Sequence, residues 1–478
     1  MSRSAIPILL ACACAAPAAD DVADDSTTLD ASTTVGSASG NTTTTTGATT
    51  AGETSSDPSD DSASTTSSDD DADAGSDDGP VTPPPTCGAL ADVPSEPGPH
   101  IAELEALADD SWLALGPPAA DPTFGSARGR SWGGRAFALA PDLRGAFFTG
   151  EGVHAYVKPD GFGMDDIWFY DLHAHAWIAV HPGNEIATFN QRVANGDLGI
   201  DEDGQLQDGN GNPVPLHVLI HAWDFVAYDT ATQSFTFLAG DGMGRYFMPG
   251  EAMIDEGLTA LEAQREGIAV PPMSPWRWST SECTFERHAI ATGLPDSYFT
   301  DYGAFVYVSA TDQFVHAGLS GVSFYDRTSD VWTVAADSGP RPTGYDNGVA
   351  YDPTRNRLYI GPGSGGGGNP LFIYDIASAT WTNPSPNGSA PSDLGTNSAS
   401  VFYDDAADVI TVFHYPDRTH YTYEPASDEW SSRALPDEMI DSVGYASFNA
   451  FYDPVTDAYF VFAATDSEDN GTMWAYRR

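Results

Sequence analysis

The chain has 478 residues, with 69 acidic against 19 basic side chains, a formal net charge of −50 and only four cysteines. A balance so acidic excludes a sequence-independent nucleic-acid binder, which needs clustered Lys and Arg against phosphate. No apolar run in the sequence reaches the length that spans a bilayer.

Residues 20–86 hold fifteen acidic residues and no Lys or Arg, yet residues 87–478 still carry 54 acids against 18 bases, a net charge of −36. Such a surface suits high salt, where screening removes self-repulsion. It reads as a solubility device rather than as a dock for one cationic partner.

Residues 1–19 read as an export signal, with Arg3 at the positive end and a short apolar run from Ile6 to Leu10. Leu9-Leu10-Ala11-Cys12 resembles a bacterial lipobox, which makes Cys12 the candidate lipidation site, with Cys14 as a second. Cleavage after a small-x-small stretch, releasing a soluble secreted protein, is the alternative. Residues 20–86 are low-complexity Ser, Thr, Asp, Ala and Gly, too poor in large apolar side chains to offset the entropy of folding, and predict a disordered acidic tether. A flexible chain of that length has a root-mean-square span of about 50 Å. It ends in a proline-rich hinge, Val81-Thr82-Pro83-Pro84-Pro85.

The remainder, residues 87–478, repeats itself. In Tyr170-Asp171…Trp177, Tyr228-Asp229…Phe235, Tyr325-Asp326…Trp332, Tyr374-Asp375…Trp381 and Tyr423-Glu424…Trp430, an aromatic is followed by an acid and, seven places on, by Trp or Phe. Trp278…Phe285 has the same spacing and fills the long gap between Tyr228 and Tyr325. A split copy opens at Met473-Trp474-Ala475-Tyr476 and is completed at the other end by Ser111-Trp112-Leu113-Ala114-Leu115. Upstream hairpins such as Tyr351-Asp352-Pro353 into Arg357–Gly361 add two more strands to each unit. Four strands per ~50-residue unit is propeller arithmetic. The count predicts an all-β, seven-bladed propeller of four-stranded blades, its N-terminal strand closing the last blade.

The repeat resembles that of the kelch and galactose-oxidase-central-domain β-propellers, which place a diglycine after the second strand and then Tyr and Trp with six residues between them. The Tyr–Trp part is well kept here, while the diglycine survives only as Gly365-Gly366. The resemblance implies that the loops joining strands 2 and 3, and those leading to the next blade, share one face where ligands gather. That face would hold Arg128, Arg130 and Trp132, then His154, Tyr156, Lys158 and Asp160, then Asp301 and Tyr302, then Arg341, Tyr345 and Asp346. Aromatic rings beside Arg, Asp and Asn suit a carbohydrate or peptide, whereas turn chemistry on a solvated rim explains the same residues without a ligand. Arg128, Arg130 and Arg341 stand out because bases are scarce.

Two insertions interrupt the pattern: a polar excursion at 184–212, taken to replace a first hairpin, and 240–275, where Glu251 to Arg265 has helical apolar spacing. Asp201 to Asn212 is oxygen-rich but fails the EF-hand template at Pro213 and Leu219, so a turn-rich hairpin is expected. His173 and His175 share a turn without a third metal ligand and are expected to be exposed. Gly361 to Gly366 fits a dinucleotide fingerprint but precedes a strand rather than a helix. A copper-radical oxidase of the galactose oxidase type would need a Tyr crosslinked to Cys. Cys87 stands outside the repeats and Cys283 in a strand 3-to-4 turn away from the ligand face, so no cofactor is expected. In an exported chain, Cys87 and Cys283 read as a disulfide pinning the end of the tether to the Trp278 repeat, with a pair of buried free thiols as the alternative.

The resulting expectation is a non-enzymatic, exported propeller of the cell envelope or the extracellular space. It would be monomeric and bind an extracellular glycan or protein, touching the membrane only through an N-terminal lipid. The alternative is an extracellular carbohydrate-active enzyme, oxidase or lyase, with its site at the channel mouth.

Overall fold

The computed structural model describes residues 88–130, 137–149, 161–162, 166–202, 204, 206–214, 225–239, 256–264, 274–288, 304–318, 321–336, 338–342, 347–361, 371–392, 394–395, 399–441, 448–464 and 471–478. The export signal, Cys12, the tether and Cys87 lie outside them.

The described strands form six four-stranded antiparallel blades. Blade 1 is Phe137–Ala140, Gly145–Thr149, Ile167–Asp171 and Ala176–His181. Blade 2 is Val226–Asp229, Ser234–Ala239, Ser274–Ser279 and Phe285–Arg287, and blade 3 is Ala304–Val308, Gln313–Gly318, Gly321–Asp326 and Val331–Val334. Blade 4 is Val349–Asp352, Arg357–Ile360, Phe372–Asp375 and Thr380–Thr382, and blade 5 is Ala399–Asp404, Val409–His414, Thr419–Glu424 and Glu429–Ala434. Blade 6 takes Phe448–Asp453, Ala458–Ala463 and Thr472–Arg477, and its outer strand is Ser111–Gly116 from the other end of the chain. First strands touch in the cycle 1-2-3-4-5-6-1. This is a β-propeller closed by its N-terminal strand, and the expected count of seven blades is corrected to six.

The miscount has a local cause. The directly opposed partners of each continuous outer hairpin are seven positions apart: Tyr170 with Trp177, Trp278 with Phe285, Tyr325 with Trp332, Tyr374 with Trp381 and Tyr423 with Trp430. The split copy obeys the same pairing, Tyr476 lying opposite Trp112 with their rings stacked at 4.7 Å. Inner hairpins have the same spacing, as in Tyr228 opposite Phe235, Tyr403 opposite Ile410 and Tyr452 opposite Tyr459. Tyr228 therefore opens the inner hairpin of blade 2, and Trp278 opens its outer one. The segment 184–212 does not replace a hairpin; it is inserted between blades 1 and 2.

One turn design explains the shared spacing. The acid after the aromatic accepts backbone N–H bonds from the turn, Asp171 from Ala174 at 3.1 Å and Asp404 from Ala407 at 2.9 Å. Five places after the aromatic, a left-handed residue brings the chain back, as at Asp330, Asp408, Asp428 and Asp457, whose φ values lie between 48° and 58°. Asp and Asn tolerate that conformation better than other side chains. The tyrosine hydroxyl then donates to this same residue: Tyr325 to Asp330 at 2.7 Å, Tyr423 to Asp428 at 2.9 Å and Tyr452 to Asp457 at 3.0 Å.

Six apolar clusters of described residues lie one at each seam between neighbouring blades. Trp168, Trp177, Phe148 and Phe462 fill the seam of blades 6 and 1, while Phe147, Phe235 and Trp278 fill that of blades 1 and 2. The outer edges are partly covered too. Ala119, Ser338 and Asn387, each on a linker between blades, make parallel bridges to the outer strands of blades 1, 4 and 5. Gly339 and Gly388 permit this approach: both have positive φ, and an added Cβ would strike the carbonyl oxygen of Trp381 or Trp430. These contacts blunt edges that would otherwise pair with other chains.

Residues 88–110 cross the outer-turn face toward the closing strand. Leu90 and Val93 bury at the seam of blades 1 and 2, and helix α1 (Pro99–Glu105) buries Leu104 at that of blades 6 and 1. His100 Nε2 lies 2.7 Å from the Leu172 carbonyl, and His173 Nδ1 lies 2.9 Å from that of Ser95. His173 and His175, expected to be exposed, are half-buried beneath this strap. The His175 ring meets the Tyr170 hydroxyl at 2.8 Å, and burial pushes its pKa down to about 4.

The insertions pack on one another. Helices α2 (Ile186–Asn195) and α3 (Glu256–Gln264) are in contact, and Asn190 Oδ1 accepts from the Gly257 N–H at 2.7 Å. Helix α3 falls within the helical pattern read at 251–265. The oxygen-rich segment forms a hairpin, Leu198–Ile200 with Leu206–Asp208, in which Asp208 caps its own turn and Asp201 pairs with Arg287 at 2.8 Å.

His420 gives the fold a measurable pH dependence. Its ring is 3% exposed, stacks on Phe413 at 4.7 Å, and faces Tyr459 and Tyr476 at the seam of blades 5 and 6. Burial, with the Arg478 charge, pushes its pKa down to about 3. The unfolded chain takes up this proton near pH 6.5 and the folded chain does not. Stability is therefore lost as pH falls from about 6.5 toward 3, by up to ~1.4 kcal/mol per pH unit. His420→Phe keeps the stack and removes the site, so urea titrations should show the variant gaining roughly 2–3 kcal/mol on the parent between pH 7 and pH 4. Parallel stability curves would refute this assignment.

Candidate ligand site on the channel axis

The expected ligand face is the one carrying the strand 2-to-3 loops and the linkers between blades. Trp132, His154, Lys158, Asp301, Tyr302, Tyr345 and Asp346 lie outside the described residues. Arg341 is exposed, on the linker between blades 3 and 4. Arg128 and Arg130 are described, and both are buried, at 9% and 0% exposure.

Arg130 is engaged inside the protein. Its Nη2 meets Asp166 Oδ1 at 2.5 Å, with Asp166 1% exposed, while Trp168 Nε1 donates to the other carboxylate oxygen at 2.8 Å. The Arg130 N–H donates to Asn449 Oδ1 at 3.1 Å, and Asn449 Nδ2 returns a bond to the Arg130 carbonyl at 3.3 Å. The guanidinium lies 5.2 Å from the centre of the Phe148 ring. Asn449 belongs to blade 6, and Phe148 and Trp168 to blade 1. The anomaly noticed in the sequence thus belongs to the packing between the first and last blades, Arg130 meeting Asn449 of blade 6 through its backbone and Asp166 beside blade 1 through its side chain.

The cavity sits on the axis and opens at the inner-turn end, the opposite face. Its volume is about 360 Å³. Five blades contribute a tyrosine from the first strand, Tyr228, Tyr307, Tyr351, Tyr403 and Tyr452, and blade 1 contributes Leu139. Each packs into the seam with the preceding blade while its ring helps wall the channel. The sequence carries the signal in Tyr351-Asp352-Pro353, Tyr403-Asp404-Asp405 and Tyr452-Asp453-Pro454, but strand patterns alone do not say which end of a strand faces an open mouth.

The hydroxyls are committed to neighbours. Tyr307 donates to Asp312 at 2.5 Å, Tyr403 to Asp408 at 2.8 Å and Tyr452 to Asp457 at 3.0 Å. Tyr351 donates to Asn356 Oδ1 at 3.3 Å, and Tyr228 crosses the seam to Asp142 at 2.9 Å. Burial, followed by carboxylates where they are near, raises the pKa of all five phenols, Tyr403 to about 12, so they stay neutral at physiological pH.

Around this wall, arginines clamp neighbouring turns. Arg355 bonds Asp352 at 2.9 Å and grips Asp408 of blade 5 with both Nη atoms, at 2.5 and 2.7 Å. That grip, with the Tyr403 hydroxyl, holds the Asp408 carboxyl down to about 2. Arg144 of blade 1 makes the same two-pronged contact with buried Asp453 of blade 6, at 2.7 and 2.9 Å. Arg327 bridges Asp229 at 2.6 Å and Asp312 at 2.8 Å. Bidentate geometry and partial burial make such pairs stronger than exposed ones. They tie neighbouring turns together around the ring.

No group of three or more His, Cys, Asp or Glu able to hold a metal occurs among the described residues. Cys283 sits in the strand 3-to-4 turn of blade 2, as expected. Its Sγ is 2.7 Å from where a Cβ on Gly88 would stand.

No family model matches this chain, and no curated protein matches it. Among solved structures, it is similar to a chain in the crystal structure of the mitotic checkpoint complex, at 9% identity and a TM-score of 0.40, covering 77% of this chain and 91% of that one. The assignment of the fold rests on the sheet order and the ring closure described above.

Proposed function

We propose that this protein is a non-enzymatic binding module of the kelch-like propeller type that takes an extracellular glycan or protein at the mouth of its channel. The reading is carried by the tyrosine-walled cavity on the axis, concave, mostly apolar and ringed by fixed polar groups, which is the usual composition of a ligand site. Export and anchoring through Cys12 are proposed from the signal-like N-terminus and the tether. A Cys87–Cys283 disulfide is proposed to fasten that tether to blade 2, supported by the closeness of Gly88 to the Cys283 sulfur. The purified 78–478 chain should be retained saturably on bacterial envelope preparations, and periodate or protease treatment of the envelope should abolish retention according to the ligand's class. Release of reducing sugar or of peroxide during incubation would replace this reading with that of a carbohydrate-active enzyme.

A further inference from the structure

The wall of the channel mouth has an uneven chemistry. Each of its five tyrosine hydroxyls already donates its proton to a neighbour on the turns, four of them to carboxylates and one to Asn356. Among the described lining residues, what remains toward the cavity is mainly ring faces and phenol lone pairs, which are acceptors or negative π surfaces, with the Asp405 carboxylate and the Ser309 hydroxyl beside them. The basic groups at the rim, Arg144, Arg327 and Arg355, are each held by carboxylates. Among the described lining residues no Lys or Arg offers an anion a counter-charge, and a neutral donor gains little from the rings.

The inner turns add charge. Asp142, Asp312, Asp405, Asp408 and Asp457 all stand on them, and Asp405 is both exposed and part of the cavity wall. Composition reads the acidity of the chain as a general solubility device; on this face it converges on an aromatic mouth. The protein also places one cation of its own in this way: the Arg327 guanidinium lies over the Tyr307 ring, 5.7 Å from its centre. That leaves Tyr351 and Tyr403, both half-buried, as the rings with surface to offer.

We infer that the inner-turn mouth is a site for an organic cation, an alkylammonium group seated against the rings of Tyr351 and Tyr403 with Asp405 as its counter-charge. The inference rests on the binding-module reading and names the chemistry of its ligand. A desolvated alkylammonium over tyrosine faces gains cation–π attraction, and the carboxylate rim raises its local concentration. The same group could arrive as a free small molecule or as the side chain of a protein.

The test is calorimetry on the 78–478 chain with three probes at low and high salt: choline, 3,3-dimethyl-1-butanol as its neutral isostere, and a lysine-rich peptide. Choline should bind and the isostere should bind at least about tenfold more weakly. Binding of the peptide as well would mark a protein as the source, and binding of choline alone a small molecule. Tyr403→Ala should lower choline affinity about tenfold, Tyr403→Phe should retain most of it because the ring remains, and Asp405→Asn should weaken it about threefold. Equal binding of choline and its isostere, or no binding of choline and peptide in the folded chain, overturns the inference. Envelope retention measured on the same preparation separates these outcomes from failure of the binding-module reading itself.

Discussion

Replacing either member of the Arg130–Asp166 pair alone should destabilise the protein by about 3–5 kcal/mol, because the partner is left as an uncompensated buried charge. Both side chains are essentially inaccessible, at 0% and 1% exposure, so water cannot take over. In a folded unit of about 390 residues that loss corresponds to a fall in Tm of roughly 4–6 °C. Arg130→Met combined with Asp166→Leu should recover most of it, since an apolar pair of similar volume is often as stable as a buried ion pair. A residue of about 1–2 kcal/mol should persist, because Trp168 Nε1 loses its acceptor. A double-mutant cycle on chemical denaturation reads the coupling directly. If Arg130→Met alone left the Tm unchanged, Arg130 would be a ligand residue on a tolerant rim, as the sequence suggested, and not a part of the closing seam.

Removing the closing strand should have a larger effect still. A chain beginning at Pro117 lacks Trp112, Leu113 and Leu115, which pack into the seams of blade 6, and it strips Thr472–Arg477 of its outer partner. These three side chains are partly buried, but the buried Leu90, Val93 and Leu104 of the strap go with them, at about 1.5–3 kcal/mol each, and the loss together approaches the whole net stability of a typical domain. The unpaired strand also becomes an edge that templates association. We expect no cooperative melting transition and extensive aggregation. A chain beginning at Asp78 keeps the strap and the closing strand and should melt as the full protein does. A Pro117 chain melting within a few degrees of the Asp78 chain would mean that the ring holds without its closure.

Much of this architecture could be read from the residues, and the reason is the economy of the hairpin design. Tyr–acid followed by Trp at the seventh place is the signature of a four-stranded blade's outer hairpin, and the split copy at Tyr476 and Trp112 correctly foretold the closure. The same economy produced the miscount. Inner hairpins use the same turn, so Tyr228…Phe235 mimics an outer hairpin. The insertions set Tyr170 and Trp278 108 positions apart where neighbouring units are about fifty apart. Only the second aromatic discriminates: Trp in most outer hairpins, against Phe, Leu, Ile or Tyr in the inner ones.

The site was less legible. Scarcity drew attention to Arg128 and Arg130, but scarcity cannot report burial, and the charge of Arg130 turned out to be met by Asp166. The first-strand tyrosines were visible as parts of strand-and-turn signals. Their convergence on one cavity depends on six strands being brought side by side around an axis, a relation between residues more than 200 positions apart.

The central structural claim, that the hairpins of Tyr228 and Trp278 belong to one blade, can be tested without a ligand. Thr236 and Arg277 lie directly opposite each other on the second and third strands of blade 2. Opposed residues in an antiparallel pair sit about 4.5–5.5 Å apart between Cα atoms, within reach of a disulfide. With Thr236→Cys and Arg277→Cys in the 78–478 chain, mild oxidation followed by peptide mapping should recover the 236–277 crosslink in high yield from folded, monomeric protein. Absence of that crosslink while the protein remains folded would place the two hairpins in separate blades and contradict the six-bladed ring.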